Sequence, residues 1–296
     1  MTFAFSAIPT FGGFSFARAR IRLTYAWRHG RLPKLSAPTL FTELVQLRKL
    51  EERSAWLPAL ADKARVKEFV AARIGSEWVI PTLWHGSALP HRPEWATPFV
   101  VKSRHGCNQR AFVRADTQNW ETIRRRAARW VSCRYGRWLD EWLYAEIPRG
   151  ILVEPFVGRN GVLPIDWKFY VFGGRVCFIQ VHLERETDHR WILMDRNWRR
   201  VSAPSHDHDP VPPRTLDKMI IAAERLARDL DFVRVDLYEV DGRPLFGEMT
   251  FYPGSGLDRF DPPSLDQQLG QKWLSARRAQ LATLSSDYPV CGAALT

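Results

Sequence analysis

Apolar positions change their spacing several times along this chain, and each change marks an element. From Pro38 to Ile74 they recur every three or four residues through TLFTELVQLRKLEERSAWLPALADKARVKEFVAARIG, which predicts two or three helices closing on Gly75 as a C-cap. WVIPTLWHG then predicts a short strand running into a Pro/Gly loop over 85–98. PFVVKSRHGCNQRAFV reads as strand, loop, strand, with Phe99 to Lys102 before the turn and Ala111 to Val113 after it. Residues 117–143 form a Trp/Arg-rich helix or helix pair, and ILVEPFV (151–157) a buried strand. After the Gly158–Gly161 turn, PIDWKFYVFGGRVCFIQVHLER is a hairpin with Gly173–Gly174 at its middle. The His/Asp/Pro-rich stretch 186–213 reads as loop. Thr215 then caps an amphipathic helix, LDKMIIAAERLARDL. Phe232 to Gly256 is a second hairpin, and a short helix and tail follow Asp261. Residues 1–37 are basic and aromatic without a clear period, as in a poorly packed arm. Helices first, then strands in hairpins, imply an α+β fold with mostly antiparallel sheets.

The second hairpin, FVRVDLYEVDGRPLFGEMTFYPGSG, carries the chemistry. Residues i and i+2 of a strand share a face, so Arg234 sits with Asp236 and Glu248 with Thr250. Two carboxylates facing one cation beside an arginine suit a Mg²⁺–triphosphate site, where oxygen ligands hold the metal and a guanidinium neutralises the phosphoryl group in flight. Alone, such a hairpin is more simply a surface element with its charges in water. Asp236 and Glu248 reach one face only if an odd residue intervenes, and a type I turn with Gly242 in the left-handed bulge position is expected to supply it.

Composition narrows the class. The chain has 296 residues, 45% of them hydrophobic and 25% charged, as in a globular protein with two or three subdomains. No run of 18 apolar residues exists, and Met1 to Phe16 lacks a basic n-region and a clear cleavage site, so neither a membrane span nor a signal peptide is read. Cys107, Cys133, Cys177 and Cys291 have no zinc-like spacing, which suits free thiols in a reducing cytoplasm. The net charge of +11 suits an anionic partner and leaves room for peripheral membrane contact. Eight lysines stand against 35 arginines. A GC-rich coding sequence produces such a skew. A lysine kept in a buried-looking strand then marks a place where arginine was not acceptable.

Two strand lysines meet that description. Lys102 ends FVVK just before the polar turn SRHGCNQR, and Lys168 shares a face with Asp166 in DWKFYVF, while Glu154 lies in ILVEPFV. Each alone is a strand end, an edge residue or a surface ion pair. In this order, with the hairpin behind them, they resemble the ATP-grasp superfamily and most of all its TupA-like branch, associated with teichuronopeptide and other surface-polysaccharide synthesis. The likeness runs from about Pro38 to Gly256 and includes the lead-in ADKARVKEFVAARIG, with DWKFYVFGGRV and FGEMTFYPGSG as its most specific parts.

The resemblance implies an ATP-grasp fold, with nucleotide held between two mostly antiparallel α+β subdomains, and ATP and Mg²⁺ as cofactors. It divides the chain into an arm (1–37), a helical subdomain (38–98), a lid-like subdomain (99–157), a C-terminal subdomain (158–262) and a helix with tail (263–296). It places Lys102 on the phosphates under a covering loop that includes Ser103, His105 and Gly106. Adenine lies along Glu154, Pro155, Phe156 and Val157, and Asp166 is near ribose. Lys168 reaches the phosphates, and Arg234 stabilises the transferring group. Asp236 and Glu248 hold Mg²⁺. Thr250, where many relatives have asparagine, is a poorer ligand.

The implied reaction is ATP-dependent joining of a carboxylate to an amine through an acyl phosphate, with small-molecule or glycan substrates and a cytoplasmic location. His182, Arg185, Arg190 and Arg196 fall toward the acceptor side. The alternatives are phosphoryl transfer to a hydroxyl, glycosyl transfer (for which Asp195 in MDRNW is the sole cue), or non-catalytic binding of an anion or single-stranded nucleic acid, the last through the Arg/Trp segment 117–142. His105 and Cys107 as a nucleophile pair lack a third, orienting group.

Overall fold

The computed structural model describes residues 11–115, 118–159, 161–183, 190–203 and 208–286. Three helices, α2 (Phe41–Glu51), α3 (Leu57–Ala61) and α4 (Val66–Ile74), fill the predicted helical lead-in, and α4 ends on Gly75 at φ 111°. Residues 11–37 are not the unpacked arm expected. Phe11–His29 is a helix, α1, whose Ile21 and Tyr25 are buried, and the Tyr25 hydroxyl meets Thr42 Oγ1 of α2 at 2.9 Å. Its period was hidden because apolar residues occupy two opposite faces.

A four-stranded antiparallel sheet follows, ordered β1 (Trp84–Gly86), β4 (Ile151–Pro155), β2 (Phe99–Ser103), β3 (Arg110–Val113). Alternation divides it. Phe99, Val101, Val113, Ile151 and Val153 pack against Ile123, Ala127 and Trp130 of α5 (Trp120–Ser132). The other face carries Val100, Lys102, Phe112 and Glu154. The Arg/Trp segment therefore spends Trp130 on the core. A one-turn helix, α6 (Trp142–Ala145), closes this part.

The second sheet has five antiparallel strands ordered β7 (Arg190–Asp195), β6 (Arg175–Leu183), β5 (Asp166–Phe172), β8 (Phe232–Val240), β9 (Arg243–Thr250). β7 corrects the expectation of loop throughout 186–213. Helix α7 (Leu216–Leu226) lies on β5, β6 and β8. Thr215 does not cap it with its side chain; its hydroxyl donates to Glu239 at 2.6 Å. The final helix, α8 (Ser264–Ser286), is longer than expected. Its Trp273 joins Phe41 of α2 in an aromatic cluster with Tyr170, Phe172 and Phe232. Arg48 of α2 is buried over Trp273 and pairs with Asp231, which also accepts from Trp273 Nε1 at 2.6 Å and Arg277 Nε at 2.7 Å. No helix among the described residues is long and apolar enough to cross a membrane.

The β8–β9 turn differs from expectation in a way that matters. Val240 pairs directly with Arg243, and Asp241 and Gly242 both have positive φ (51° and 72°), which makes a two-residue type I′ turn. Such a turn alone would put Asp236 and Glu248 on opposite faces. A bulge five residues further along restores the parity. Leu237 pairs with Phe246, Asp236 pairs with Glu248, and Gly247 is the inserted residue. A Cβ on Gly247 would sit 2.9 Å from the Asp236 carbonyl oxygen and 3.0 Å from the Tyr238 ring. Gly247→Ala is therefore expected to cost about 1–3 kcal/mol by overpacking and to tilt Glu248 out of line. Urea unfolding checks the first effect, and loss of nucleotide-dependent stabilisation the second.

Candidate functional site

A cleft of about 590 Å³ takes its lining from both sheets. Its floor is the large sheet, where pairing aligns Lys168, Asp236 and Glu248 in one row across β5, β8 and β9, with Tyr170, Arg234 and Thr250 in the next. Lys168 Nζ lies 2.7 Å from Asp166 Oδ2 and also against Asp236. Arg234 grips both oxygens of Asp236, Nε to Oδ1 at 2.7 Å and Nη2 to Oδ2 at 2.8 Å, and donates to Thr250 Oγ1 at 3.2 Å. Asp166, Lys168, Arg234, Asp236 and Thr250 are all buried.

Glu248 differs from Asp236 opposite it. Among the described residues it has no lysine or arginine within 4.0 Å, and its one hydrogen bond is a long one, 3.5 Å from Thr250 Oγ1. Burial alone would raise its pKa. The field of Lys63, Lys168 and Arg234 outweighs burial and holds it below the ordinary carboxylate value. Three carboxylates (Asp166, Asp236, Glu248) thus gather around Lys168 and Arg234, with Lys63 acting on Glu248 from further off. Mg²⁺ needs only one or two protein carboxylates, with water and phosphate completing its shell, so this hard oxygen set fits the ion through Asp236 and Glu248. Thr250 is committed to bracing Arg234 and Glu248.

The walls are rich in lysine. Lys102 Nζ lies 2.6 Å from Glu154 Oε2, and Lys67 Nζ lies 2.5 Å from Glu154 Oε1. Lys67 also donates to the Ile80 carbonyl (2.8 Å) and Thr82 Oγ1 (2.6 Å), and Lys63 to the Gly106 carbonyl (2.7 Å). Burial pushes the Glu154 pKa up, but Lys102 and Lys67 more than reverse it and keep it ionised. Among the described residues, four of the chain's eight lysines (Lys63, Lys67, Lys102 and Lys168) line the cleft, against two arginines, Arg110 and Arg234. A compact ammonium on a flexible stem can follow a triphosphate, whereas a planar fork holds one fixed geometry. Lys63 and Lys67 were missed as site residues. Their signal was ADKARVK itself, read as part of the lead-in and not as chemistry.

Several expected contacts fall elsewhere. Ser103 is buried and its Oγ accepts the Gly106 N–H at 3.0 Å, so it braces the turn. His105 is buried with Nε2 3.1 Å from the Trp130 carbonyl, while Cys107 Sγ lies 3.5 Å from the Tyr144 hydroxyl. Only Gly106, Cys107 and the residues after them face the cleft. No His–Cys nucleophile pair forms. Glu154 lines the cleft and gives its carboxylate to two lysines. Phe156 packs on Phe112 at 5.8 Å, and its N–H donates to the Pro98 carbonyl at 3.1 Å. Pro155 and Val157 do line the cleft, with Ile80, Val100, Leu163 and Phe246 completing an apolar seat. On the acceptor side His182 lines the cleft, Arg190 does not, and Arg196 is paired with Glu224. Arg185 and Cys291 lie outside the described residues.

Residues 43–274 match the model of the family described as TupA-like ATPgrasp. Among solved structures, the chain is similar to D-alanine–D-alanine ligase from Bacillus anthracis complexed with ATP, with 12% identity and a TM-score of 0.50 over 78% of this chain and 69% of that one. It is also similar to the ATP-grasp ligase PsnB, complexed with a phosphomimetic variant of its minimal precursor, Mg and ADP (14%, TM-score 0.41, 78% and 67%). The D-cycloserine synthetase DcsG is a third (22%, TM-score 0.42, 75% and 71%). No curated protein matches. The first of these structures establishes the fold, and identities this low establish nothing more.

Proposed function

The chain belongs to the TupA-like ATP-grasp family, and from that premise we propose that it is an ATP-dependent ligase joining a carboxylate to an amine. The observation that carries the reading is the aligned row Lys168–Asp236–Glu248, backed by Arg234 and facing a lysine-lined cleft. Adenine takes the apolar seat around Val100, Leu163 and Phe246. Lys63, Lys102 and Lys168 neutralise the phosphates, and the turn after Ser103 covers them. Mg²⁺ held by Asp236 and Glu248 supplies further neutralisation of the triphosphate. Arg234, fixed by Asp236, faces the charge that develops on the transferring phosphoryl group.

In this reading a substrate carboxylate oxygen attacks the γ-phosphorus and ADP departs. An amine then attacks the acyl carbon, phosphate leaves with its electron pair, and the amine's proton passes to solvent. The protein contributes positioning and charge, and no side chain is covalently used. The carboxylate substrate belongs to a surface polysaccharide or its precursor, as the family resemblance implies, and the reaction is cytoplasmic.

Thermal unfolding with Mg-ATP, with ATP plus chelator and with Mg²⁺ alone is the first test. Mg-ATP at ~100 times its Kd should add roughly 2.7 kcal/mol, a shift of a few degrees, and the two controls should not. With ¹⁸O-labelled carboxylate substrates, label appearing in released phosphate supports the acyl phosphate. A phosphorylated product without free phosphate would make the enzyme a kinase. A folded protein indifferent to millimolar Mg-ATP would end the nucleotide reading.

A further inference from the structure

Neither Asp62 nor Arg104 lines the cleft, yet the two tie its lysine-bearing walls together. Arg104 follows Lys102 and Ser103 into the covering turn. Its guanidinium lays both arms on Asp62, Nε to Oδ1 at 2.7 Å and Nη2 to Oδ2 at 2.6 Å. Asp62 is buried at the junction of α3 and α4. Its Oδ1 also accepts the Ala64 N–H at 2.9 Å, and its carbonyl accepts the Val66 N–H at 2.9 Å, so it shapes the turn that starts α4. That turn carries Lys63, and Lys67 is the second residue of α4. Further bonds repeat the tie. The Arg104 N–H donates to the Gly150 carbonyl at 2.8 Å, and the Lys63 N–H to the Arg104 carbonyl at 3.4 Å. Lys63 Nζ donates to the Gly106 carbonyl at 2.7 Å. The covering turn is also closed on itself, with the Ser103 N–H on the Gln109 carbonyl at 2.9 Å and the Gly106 N–H on Ser103 Oγ at 3.0 Å.

We propose that Asp62 and Arg104 are positioning residues for the nucleotide's phosphates, whose ion pair holds the covering turn and the lead-in lysines in one arrangement before nucleotide arrives. The proposal rests on the nucleotide reading of the cleft. A bidentate guanidinium–carboxylate pair fixes direction as well as distance. Each end of this pair is adjacent in sequence to groups that face the cleft, Asp62 to Lys63 on one wall and Arg104 to the Lys102–Gly106 segment on the other. A shift at the pair therefore displaces Lys63, Lys102 and Gly106 relative to one another. A turn that is ordered in advance also spares binding the entropy of closing it.

Hydrogen exchange of the 103–109 amides and calorimetric titration with Mg-ATP, both on the full chain, test the proposal. In nucleotide-free wild type the Arg104 and Gly106 amides should already be protected, and Mg-ATP should slow them little further. Arg104→Met should speed exchange across the turn by about tenfold or more, with the amides of β2 and β4 unchanged. It should also weaken Mg-ATP binding by about tenfold or more, as loss of an outer-shell support does. Asp62→Asn/Arg104→Met strands no buried charge and keeps a side-chain oxygen for the Ala64 N–H. It should match the single variant in both readouts while recovering thermal midpoint. A pair that serves only the fold would lower the midpoint and leave exchange of the turn and Mg-ATP affinity at their wild-type values, which would overturn the proposal. So would a wild-type turn that stays unprotected until Mg-ATP binds, since that makes it a mobile lid. Wild type that binds Mg-ATP beside variants that bind it equally removes this proposal alone, whereas wild type that does not bind it removes the nucleotide reading as well.

Discussion

Glu248→Gln should leave a folded protein that no longer gains stability from Mg-ATP. The side chain keeps its shape, and among the described residues Glu248 has no lysine or arginine within 4.0 Å to strand, so the unfolding free energy should stay within about 1 kcal/mol of wild type. What the change removes is a carboxylate kept ionised by the field of Lys63, Lys168 and Arg234. Turnover should fall by about 10²–10³-fold or more, the range for deleting one group that stabilises transition-state charge. ADP release and the Mg-ATP thermal shift are the two measurements. A variant that retains both would remove Glu248 from the metal site and leave the bulge at Gly247 without a functional reason.

Asp236→Ala should behave in the opposite way, although the two carboxylates face each other across one strand pair. Asp236 is buried and holds Arg234 through both oxygens while also contacting Lys168. Removing it leaves two buried cations without their shared partner, a change that costs about 3–5 kcal/mol in comparable buried networks. For a chain of this size that lowers the thermal midpoint by about 10 °C. Adding Arg234→Met to Asp236→Ala should recover much of that loss, because the uncompensated guanidinium goes with the carboxylate while Lys168 keeps Asp166 as its partner. Calorimetry of the single and double variants decides the matter. If the single change costs under about 1 kcal/mol, Asp236 is not the electrostatic centre of this network. Together the variants separate a carboxylate that anchors the buried ion-pair network from one that stands apart from it.

Much of the site can be read from local pattern. Alternation alone places Arg234 with Asp236, Glu248 with Thr250 and Asp166 with Lys168, because side chains two apart on a strand share a face whatever the rest of the chain does. The Gly173–Gly174 hairpin and the Gly75 helix end follow likewise from backbone freedom that only glycine supplies at low cost. Local pattern fails where two signals overlap. RWILMD is a six-residue strand set in a polar stretch of sequence, and its partner β6 supplies the hydrogen bonds that make it one. The turn sequence Asp241-Gly242 specifies type I′ locally, but whether a bulge follows depends on the neighbouring strand and on the space that Gly247 leaves beneath the Asp236 carbonyl.

The chain's own order of residues determined the α+β class, the two hairpins, the pairs of groups on each strand face and the small set of lysines worth watching. Tertiary structure alone decided which of those groups meet. Lys63 and Lys67 come from the helical lead-in, Lys102 and Glu154 from one sheet, and Lys168, Asp236 and Glu248 from the other. It turned Ser103, His105 and Phe156 away from the cleft and into bracing contacts. The physical reason is one of range. Strand alternation and turn preference act over a few residues of chain, whereas burial and ion pairing act between groups that only folding brings within a few ångströms of each other.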